Sequence, residues 1–186
     1  MFRCQLREDL DLRLMEEPQA EEIFEQVERN RERLREWLPW VDGTKSPDNV
    51  RHFIRTALQQ FGENNAFHAG IWYEGHYVGA AGFHKIDWLN KKVELGYWIA
   101  QGFEGRGFVG LACRQLCNYA FGTLGLNRVE IHCATGNLRS NRIPQRLGFH
   151  LDGTMRGAQL LYGKFHDLNY YGMLAAEWNE ADNAGR

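Results

Sequence analysis

Between Val93 and Cys133 the residue pattern switches from strand to helix and back, and no other stretch restricts the fold as much. Val93 to Ala100 reads as a strand, and a glycine-rich loop follows from Gln101 to Gly107. A helix then carries Val109, Ala112, Cys113, Leu116, Ala120 and Leu124 at spacings of three and four. "RVEIHC" next places Val129, Ile131 and Cys133 on one side of a second strand. This is a βαβ unit, which brings parallel pairing into whatever sheet contains it. Glycines before a helix N-terminus leave backbone N–H groups to an anion, so the loop predicts a phosphate site.

Gly105-Arg106-Gly107-Phe108-Val109-Gly110 also fits the dinucleotide pattern G-x-G-x-x-G, and Glu130 stands twenty residues after Gly110, where an acid could meet a ribose. Position argues against that ligand. The dinucleotide fold starts with this unit and adds several βα repeats, whereas here residues 1–92 precede it and only 134–186 follow. Glu94 lies inside the strand before the loop, and Glu130 is mid-strand rather than at a strand's carboxyl end.

The flanking segments read as short, mostly antiparallel elements. Leu10, Leu12 and Leu14 alternate with Asp9, Asp11 and Arg13, a half-buried strand. Pro18 opens a helix in which Ala20, Ile23, Phe24, Val27, Leu34 and Leu38 keep helical spacing, with the intervening charges on a solvated face. Ser46-Pro47 starts another, with Val50, Phe53, Ile54, Ala57 and Phe61 as its buried stripe. Trp37 and Trp40 lie between the two, as core lids or as a groove wall. Phe67 to Tyr73 and Tyr77 to His84 are strands joined at Glu74-Gly75. After the βαβ unit come a short helix ending at "RLGF" and a hairpin of strands, Gly153 to Gln159 and Phe165 to Leu174, through Tyr162-Gly163-Lys164. The expected fold class is α/β (α+β), a single mixed, mostly antiparallel central sheet flanked by helices. One domain over 1–178 and a loose tail over 179–186 are expected.

A net charge of −2 among 186 residues argues against a surface that holds nucleic acid. Cys4, Cys113, Cys117 and Cys133 show no zinc spacing and read as reduced thiols, so no metal is expected. The N-terminus has no apolar h-region and no run is apolar enough to span a bilayer, so no membrane contact and a cytoplasmic location are expected.

The element order, the loop Glu104-Gly105-Arg106-Gly107-Phe108-Val109 and the stretch from Asn137 through Ser140 to Leu147-Gly148-Phe149 resemble the GCN5-related N-acetyltransferases (GNAT). "LREWLPW", "VELGYWI" and "LGLNRVEIHCATGNLRSNRIPQRLGF" are similar to the RimJ/RimL-type branch, which acetylates ribosomal-protein N-termini. The resemblance covers nearly the whole chain and implies the GNAT-like acyl-CoA N-acyltransferase fold, with acetyl-CoA as cosubstrate. Gly107 fits the family's [Q/R]-x-x-G-x-[G/A] loop, while Glu104 replaces its Gln or Arg and Val109 its small residue. By resemblance the pyrophosphate lies on residues 104–110 (Glu104, Gly105, Arg106, Gly107, Phe108, Val109 and Gly110). The thioester arm lies by Trp98 and Ile99, where the strand must part from its parallel neighbour. Trp98 reads equally as core.

Acetyl transfer to an amine needs a neutral amine, donors for the developing oxyanion and a proton for the leaving thiolate. The resemblance assigns Ser140 to the thiolate and Asn137 to the pantetheine or a water; both residues read equally as helix caps. The relatives' base is a Glu, and Gln159 stands in its place. Two repairs are open. Glu94 acts through a water, unless it merely pairs with Lys92 or Arg128, or no strong base is needed. About a tenth of an α-amine with pKa near 7.7 to 8.0 is neutral at pH 7, against fewer than about one lysine in a thousand. The expected acceptor is therefore a protein or peptide α-amine, ribosomal proteins included. A small amine such as a polyamine or aminoglycoside is the alternative, and a CoA-binding module without catalysis is a third. Relatives pair as dimers, and a homodimer is left open.

Overall fold

The computed structural model describes residues 2–178, so the tail expected over 179–186 lies outside the described residues. Among the described residues there are eight strands and five α-helices, beginning with β1 Arg3–Arg7, β2 Leu10–Leu14, α1 Ala20–Arg29, α2 Arg31–Arg35, α3 Pro47–Gly62, β3 Phe67–Tyr73, β4 His76–Phe83 and β5 Lys92–Ile99. Then come α4 Phe108–Asn118, β6 Arg128–Ala134, α5 Leu138–Arg146, β7 His150–Leu161 and β8 Lys164–Leu174. The strands form one mixed sheet in the order β1-β2-β3-β4-β5-β6-β8-β7, flanked by helices as expected. β5 pairs with β6 in parallel, while β1 with β2, β2 with β3, β6 with β8 and β7 with β8 are antiparallel. The chain forms two compact units, one of residues 1–82 and 97–112, the other of 83–96 and 113–186.

In the first unit α1 and α3 bury Ala20, Ile23, Val50 and Ile54 against Met15, Trp72 and Tyr77. A second cluster joins Val27, Leu34 and Val41, and the half-buried Trp98 packs against both. The helix expected from Pro18 to Leu38 is broken. A 3-10 turn at Glu17–Gln19 precedes α1, and Asn30 interrupts the spacing with φ −111° and ψ 6°. Asn30 is buried; its amide donates to the Gln26 carbonyl at 2.8 Å and its Oδ1 accepts the Gln101 N–H at 2.7 Å. A side chain that satisfies backbone groups on two segments outweighs one more turn of helix.

Other departures have similar causes. β1 was passed over although Cys4 and Leu6 alternate with Arg3, Gln5 and Arg7; the strand is five residues long and its apolar face is only half-buried. Asp11 is buried rather than solvent-facing, since β2 has a strand on either side and Arg13 donates to its carboxylate at 2.9 Å. Phe53 and Phe61 are exposed, lying against the rings of His68 and Phe67 at 5.5 Å instead of joining the Val50, Ile54 and Ala57 stripe.

In the second unit α4 runs into a five-residue π-helical turn, Tyr119–Thr123, where an unbroken helix was expected. The terminal hairpin turns on Tyr162 and Gly163, with φ of 48° and 83°, the left-handed pair that matches strand twist. β7 is longer than expected, beginning at His150. Among the described residues no helix is long and apolar enough to cross a membrane.

Candidate active site

The glycine loop follows β5 in the first unit. Gly102, Gly105 and Gly107 have φ of 86°, 76° and 81°, a left-handed backbone that strains any residue with a Cβ. A Cβ added at any of them, or at Gly110, would meet no heavy atom within 4 Å. Conformation rather than crowding thus selects glycine, and the uncovered backbone beside the start of α4 suits a phosphate. Two guanidinium groups lie on aromatic faces in this region. Arg106 is 5.6 Å from the Tyr73 ring centre and 5.5 Å from that of Phe103, and Arg7, held by Asp9, is 4.9 Å from that of Phe108. Val109 is buried with Phe108, so its bulk goes into the core rather than the loop.

Glu104 does not present a bare charge to an anion. Its Oε1 accepts from Arg33 Nη1 at 2.7 Å and its Oε2 from the Gly102 N–H at 2.7 Å. Arg33 also donates to the Ile99 carbonyl. Glu104 thereby braces the loop to α2. Trp98 lies 6.2 Å from Trp40 and 5.8 Å from Tyr77, ring to ring, and Trp40 keeps 39% of its surface exposed. Gly79 on β4 packs so closely against this segment that a Cβ would fall 2.3 Å from the Trp98 carbonyl oxygen.

The remaining expected residues lie in the second unit. The parallel register of β5 with β6 covers Lys92, Val93 and Glu94 and stops before Leu95, the early parting that an arm lying along β5 requires. Glu94 sits between two imidazoles, with Oε1 3.3 Å from His84 Nδ1 and Oε2 3.3 Å from His132 Nδ1. Burial pushes its carboxyl up, but the hydrogen bonds with His132 and His84 outweigh this and hold it at about 2. The expected pairing of Glu94 with Lys92 or Arg128 is not what forms. Those cations go to Glu130, at 3.5 and 2.8 Å, which explains the mid-strand acid without any ribose.

Asn137 is the N-cap of α5, its Oδ1 accepting the Ser140 N–H at 3.1 Å. The Ser140 hydroxyl lies 3.1 Å from the sulfur of the buried Cys133 at the end of β6. The turn of α5 is held by Asn141, which the sequence reading passed over. Its amide donates to the carbonyls of Ala134 at 2.9 Å and Asn137 at 2.8 Å, and its oxygen accepts from Asn169 at 2.8 Å and the Tyr171 hydroxyl at 3.0 Å. Gln159 lies on β7 opposite His166, just after a bulge at which Gly157 has φ 59° and donates its N–H to Asp167. The structure thus groups Trp98, Ile99 and the loop residues in one unit, and Asn137 with Ser140 in the other, while Glu94 joins a histidine cluster and Gln159 a separate hairpin. Arg33, His84 and His132 were missed because a charge or imidazole on an amphipathic element carries no local sign of its partner. A cysteine seven residues before Ser140 was the one available signal at that end. Among the described residues no group of three or more His, Cys, Asp or Glu side chains could hold a metal ion.

A model of the acetyltransferase (GNAT) domain matches residues 9–150. YdaF of Bacillus subtilis strain 168, provisionally named a ribosomal N-acetyltransferase, is 40% identical over 96% of this chain and 98% of its own. The ribosomal-protein-serine acetyltransferase of Escherichia coli K12 is 28% identical over 88% of this chain and 92% of its own. The solved structure of RimL, a ribosomal L7/L12 α-N-protein acetyltransferase, joined to coenzyme A by a disulfide, superposes with a TM-score of 0.90 at 25% identity, covering 95% of this chain and 99% of that one. The microcin C7 self-immunity acetyltransferase MccE, solved with acetyl-CoA and AMP, gives 0.86 at 26% identity over 91% and 94%.

Proposed function

We propose that this chain, which belongs to the GNAT acetyltransferase family and is an N-acetyltransferase, moves the acetyl group of acetyl-CoA to the α-amine of a protein N-terminus, ribosomal proteins being the leading candidates. The observation that carries the choice of acceptor is the likeness, over nearly the full chain, to proteins named for acetylating ribosomal N-termini. The residues present fit the cosubstrate: left-handed glycines with open space above them and two cations close by suit a pyrophosphate. Acetyl-CoA supplies an activated acyl group; the protein binds it, orders it and handles protons.

In this reading the backbone of Gly105 to Gly110 takes the phosphates, with Arg106 and Arg7 adding charge. Trp98 and Ile99 line the stretch of β5 along which the acyl arm lies. Ser140, whose hydroxyl lies 3.1 Å from the Cys133 sulfur, donates a proton to the departing sulfur. Asn137 positions Ser140 by capping α5. Gln159 contributes no base, which favours an acceptor already partly neutral at pH 7. A cytoplasmic location goes with ribosomal substrates.

Release of coenzyme A thiol from acetyl-CoA tests this at about pH 7 and pH 9, with N-terminal peptides, a lysine peptide blocked at its N-terminus, spermidine and an aminoglycoside. Turnover confined to free α-amines and visible at the lower pH is expected. Turnover with the small amines alone would move the assignment to them. Binding of acetyl-CoA without turnover of any amine would make the chain a CoA-binding module.

A further inference from the structure

Acetyl-CoA carries two kinds of phosphate, and they need different partners. The pyrophosphate is esterified at both ends, so each phosphorus bears less charge than a monoester's, and backbone N–H groups at a helix start meet it with their partial charges. The 3′-phosphate on the adenosine ribose is a monoester, with about 1.5 to 2 negative charges near pH 7 and three free oxygens. A full cation suits such a group, and the N–H fork of a guanidinium suits it best.

Arg7 and Arg106 lie beside the glycine loop, and every residue concerned belongs to the first unit. Arg7 is already engaged. Its Nε and Nη2 donate to the two carboxylate oxygens of Asp9 at 2.7 and 3.0 Å, a bidentate pair that leaves little net charge for a ligand. Arg33 is engaged as well, with Glu104 at 2.7 Å and with the Ile99 carbonyl. Arg106 is not. It is exposed, and among the described residues its guanidinium makes no hydrogen bond and no ion pair. The acids named in this region have partners of their own: Asp9 has Arg7, Glu104 has Arg33 and the Gly102 N–H, and Glu74 has the Tyr73 hydroxyl.

Aromatic surface holds Arg106 instead. Its guanidinium carbon lies 5.6 Å from the Tyr73 ring centre and 5.5 Å from that of Phe103. Tyr73 is itself 6.1 Å from Phe103 and 4.9 Å from Phe108, the first residue of α4, ring to ring. A cation over ring faces is fixed in place while its charge and its N–H donors stay available. Gly105 and Gly107 flank it with open space around them, so no neighbouring side chain covers the approach.

We propose that Arg106 binds the 3′-phosphate of the coenzyme and makes this chain select coenzyme A over its 3′-dephospho form, while the backbone at the start of α4 holds the pyrophosphate. The inference rests on the reading of this loop as the acetyl-CoA site. Tyr73 and Phe103 are positioning residues, which fix where the charge stands and touch no phosphate. The 3′-phosphate is far along the coenzyme from the acyl group and unchanged by the reaction. Its contact with Arg106 is therefore equally strong before and during acetyl transfer, and shows in KM rather than in kcat.

The test is calorimetric titration of coenzyme A and of 3′-dephospho-coenzyme A into wild type, Arg106→Gln and Arg106→Lys, a cycle that needs no acceptor amine. Wild type should bind coenzyme A about tenfold more tightly than the dephospho form, the size expected of one charge-assisted contact. In Arg106→Gln the preference should fall to about twofold, through weaker binding of coenzyme A alone; unchanged binding of the dephospho form shows that the variant is folded. Arg106→Lys keeps the charge, loses the fork and should fall between the two. Raising KCl from about 50 to about 500 mM should erode the wild-type preference and leave that of Arg106→Gln flat. On whichever amine is turned over, Arg106→Gln should raise KM for acetyl-CoA about fivefold with kcat nearly unchanged. A preference that survives Arg106→Gln, a wild type that does not distinguish the two coenzymes, or a variant that weakens both alike overturns the proposal. Failure of the acetyl-transfer reading looks different: coenzyme A binds with the stated preference and no amine is acetylated, which leaves the Arg106 assignment standing, whereas binding of neither coenzyme removes both.

Discussion

Asn141→Ala should destabilise the protein by about 2–3 kcal/mol, a figure that follows from four hydrogen bonds and their burial. Two of the four lie in buried surroundings: the amide to the Ala134 carbonyl at 2.9 Å, and the Tyr171 hydroxyl to the side-chain oxygen at 3.0 Å. A buried partner left unsatisfied costs about 1–3 kcal/mol, and Tyr171 at 2% exposure and Ala134 at 7% have little access to water. Tyr171 retains a contact from Gln145 at 3.2 Å, which lowers its share toward about 1 kcal/mol. The bonds to Asn137 and Asn169 are only partly buried, so water replaces them at small cost. Urea unfolding should show a lower midpoint with an unchanged slope, and the melting temperature should drop by about 5–10 °C for a chain of this size. Because α5 carries Ser140, kcat should fall as well. A loss below about 0.5 kcal/mol would mean that these partners find others, and would refute the claim that Asn141 holds α5 to β6 and β8.

Three further outcomes are expected. Gly79→Ala puts a Cβ 2.3 Å from the Trp98 carbonyl oxygen and 3.0 Å from the Ile99 Cα, both backbone, so thermal unfolding should reveal a cost of about 1–3 kcal/mol together with weaker acetyl-CoA binding. Arg33→Met removes the partner of Glu104 and of the Ile99 carbonyl; at 30% and 24% side-chain exposure the pair is worth roughly 1 kcal/mol, so calorimetry should find acetyl-CoA binding about fivefold weaker. Glu94, depressed from 4.5 to about 2, adds stability that is complete above pH 4.5 and disappears as pH falls through about 2, whereas the raised His84 adds stability that is complete below pH 6.5 and disappears as pH rises through its folded value. The melting-temperature difference between wild type and Glu94→Gln should therefore be largest between pH 4.5 and 6.5, and a difference flat across pH would contradict the imidazole–carboxylate pairing.

Much of the fold was legible because it depends on neighbours in the chain. Alternation in β6, the three-and-four spacing of α4, the Ser46-Pro47 start of α3 and the Tyr162-Gly163 turn each express a local backbone preference or a face that must be buried, and each was found in place. The glycine loop was legible for the same reason, since glycines with positive φ before a helix need no distant partner to define them. Element ends and burial were less legible. Phe53 and Phe61 obey the helical period of α3 and still face outward, because the period says which residues share a face and not how wide the surface covering it is.

The sequence by itself determined the order of elements, the glycine loop and the residue types available for acyl transfer, because those are properties of short windows. Only the tertiary structure decided which polar groups meet. Glu104 looked like a liability until Arg33, 71 positions away, was brought to it, and Asn30 ends a helix for the sake of Gln101, equally far along the chain. Glu94, read from the sequence as a candidate base, meets an imidazole on each of its oxygens because His84, just past β4, and His132 on β6 are brought to it. A carboxylate's proton affinity is set by what lies within a few ångströms of it in space, and a linear sequence leaves those distances open until the strands are paired.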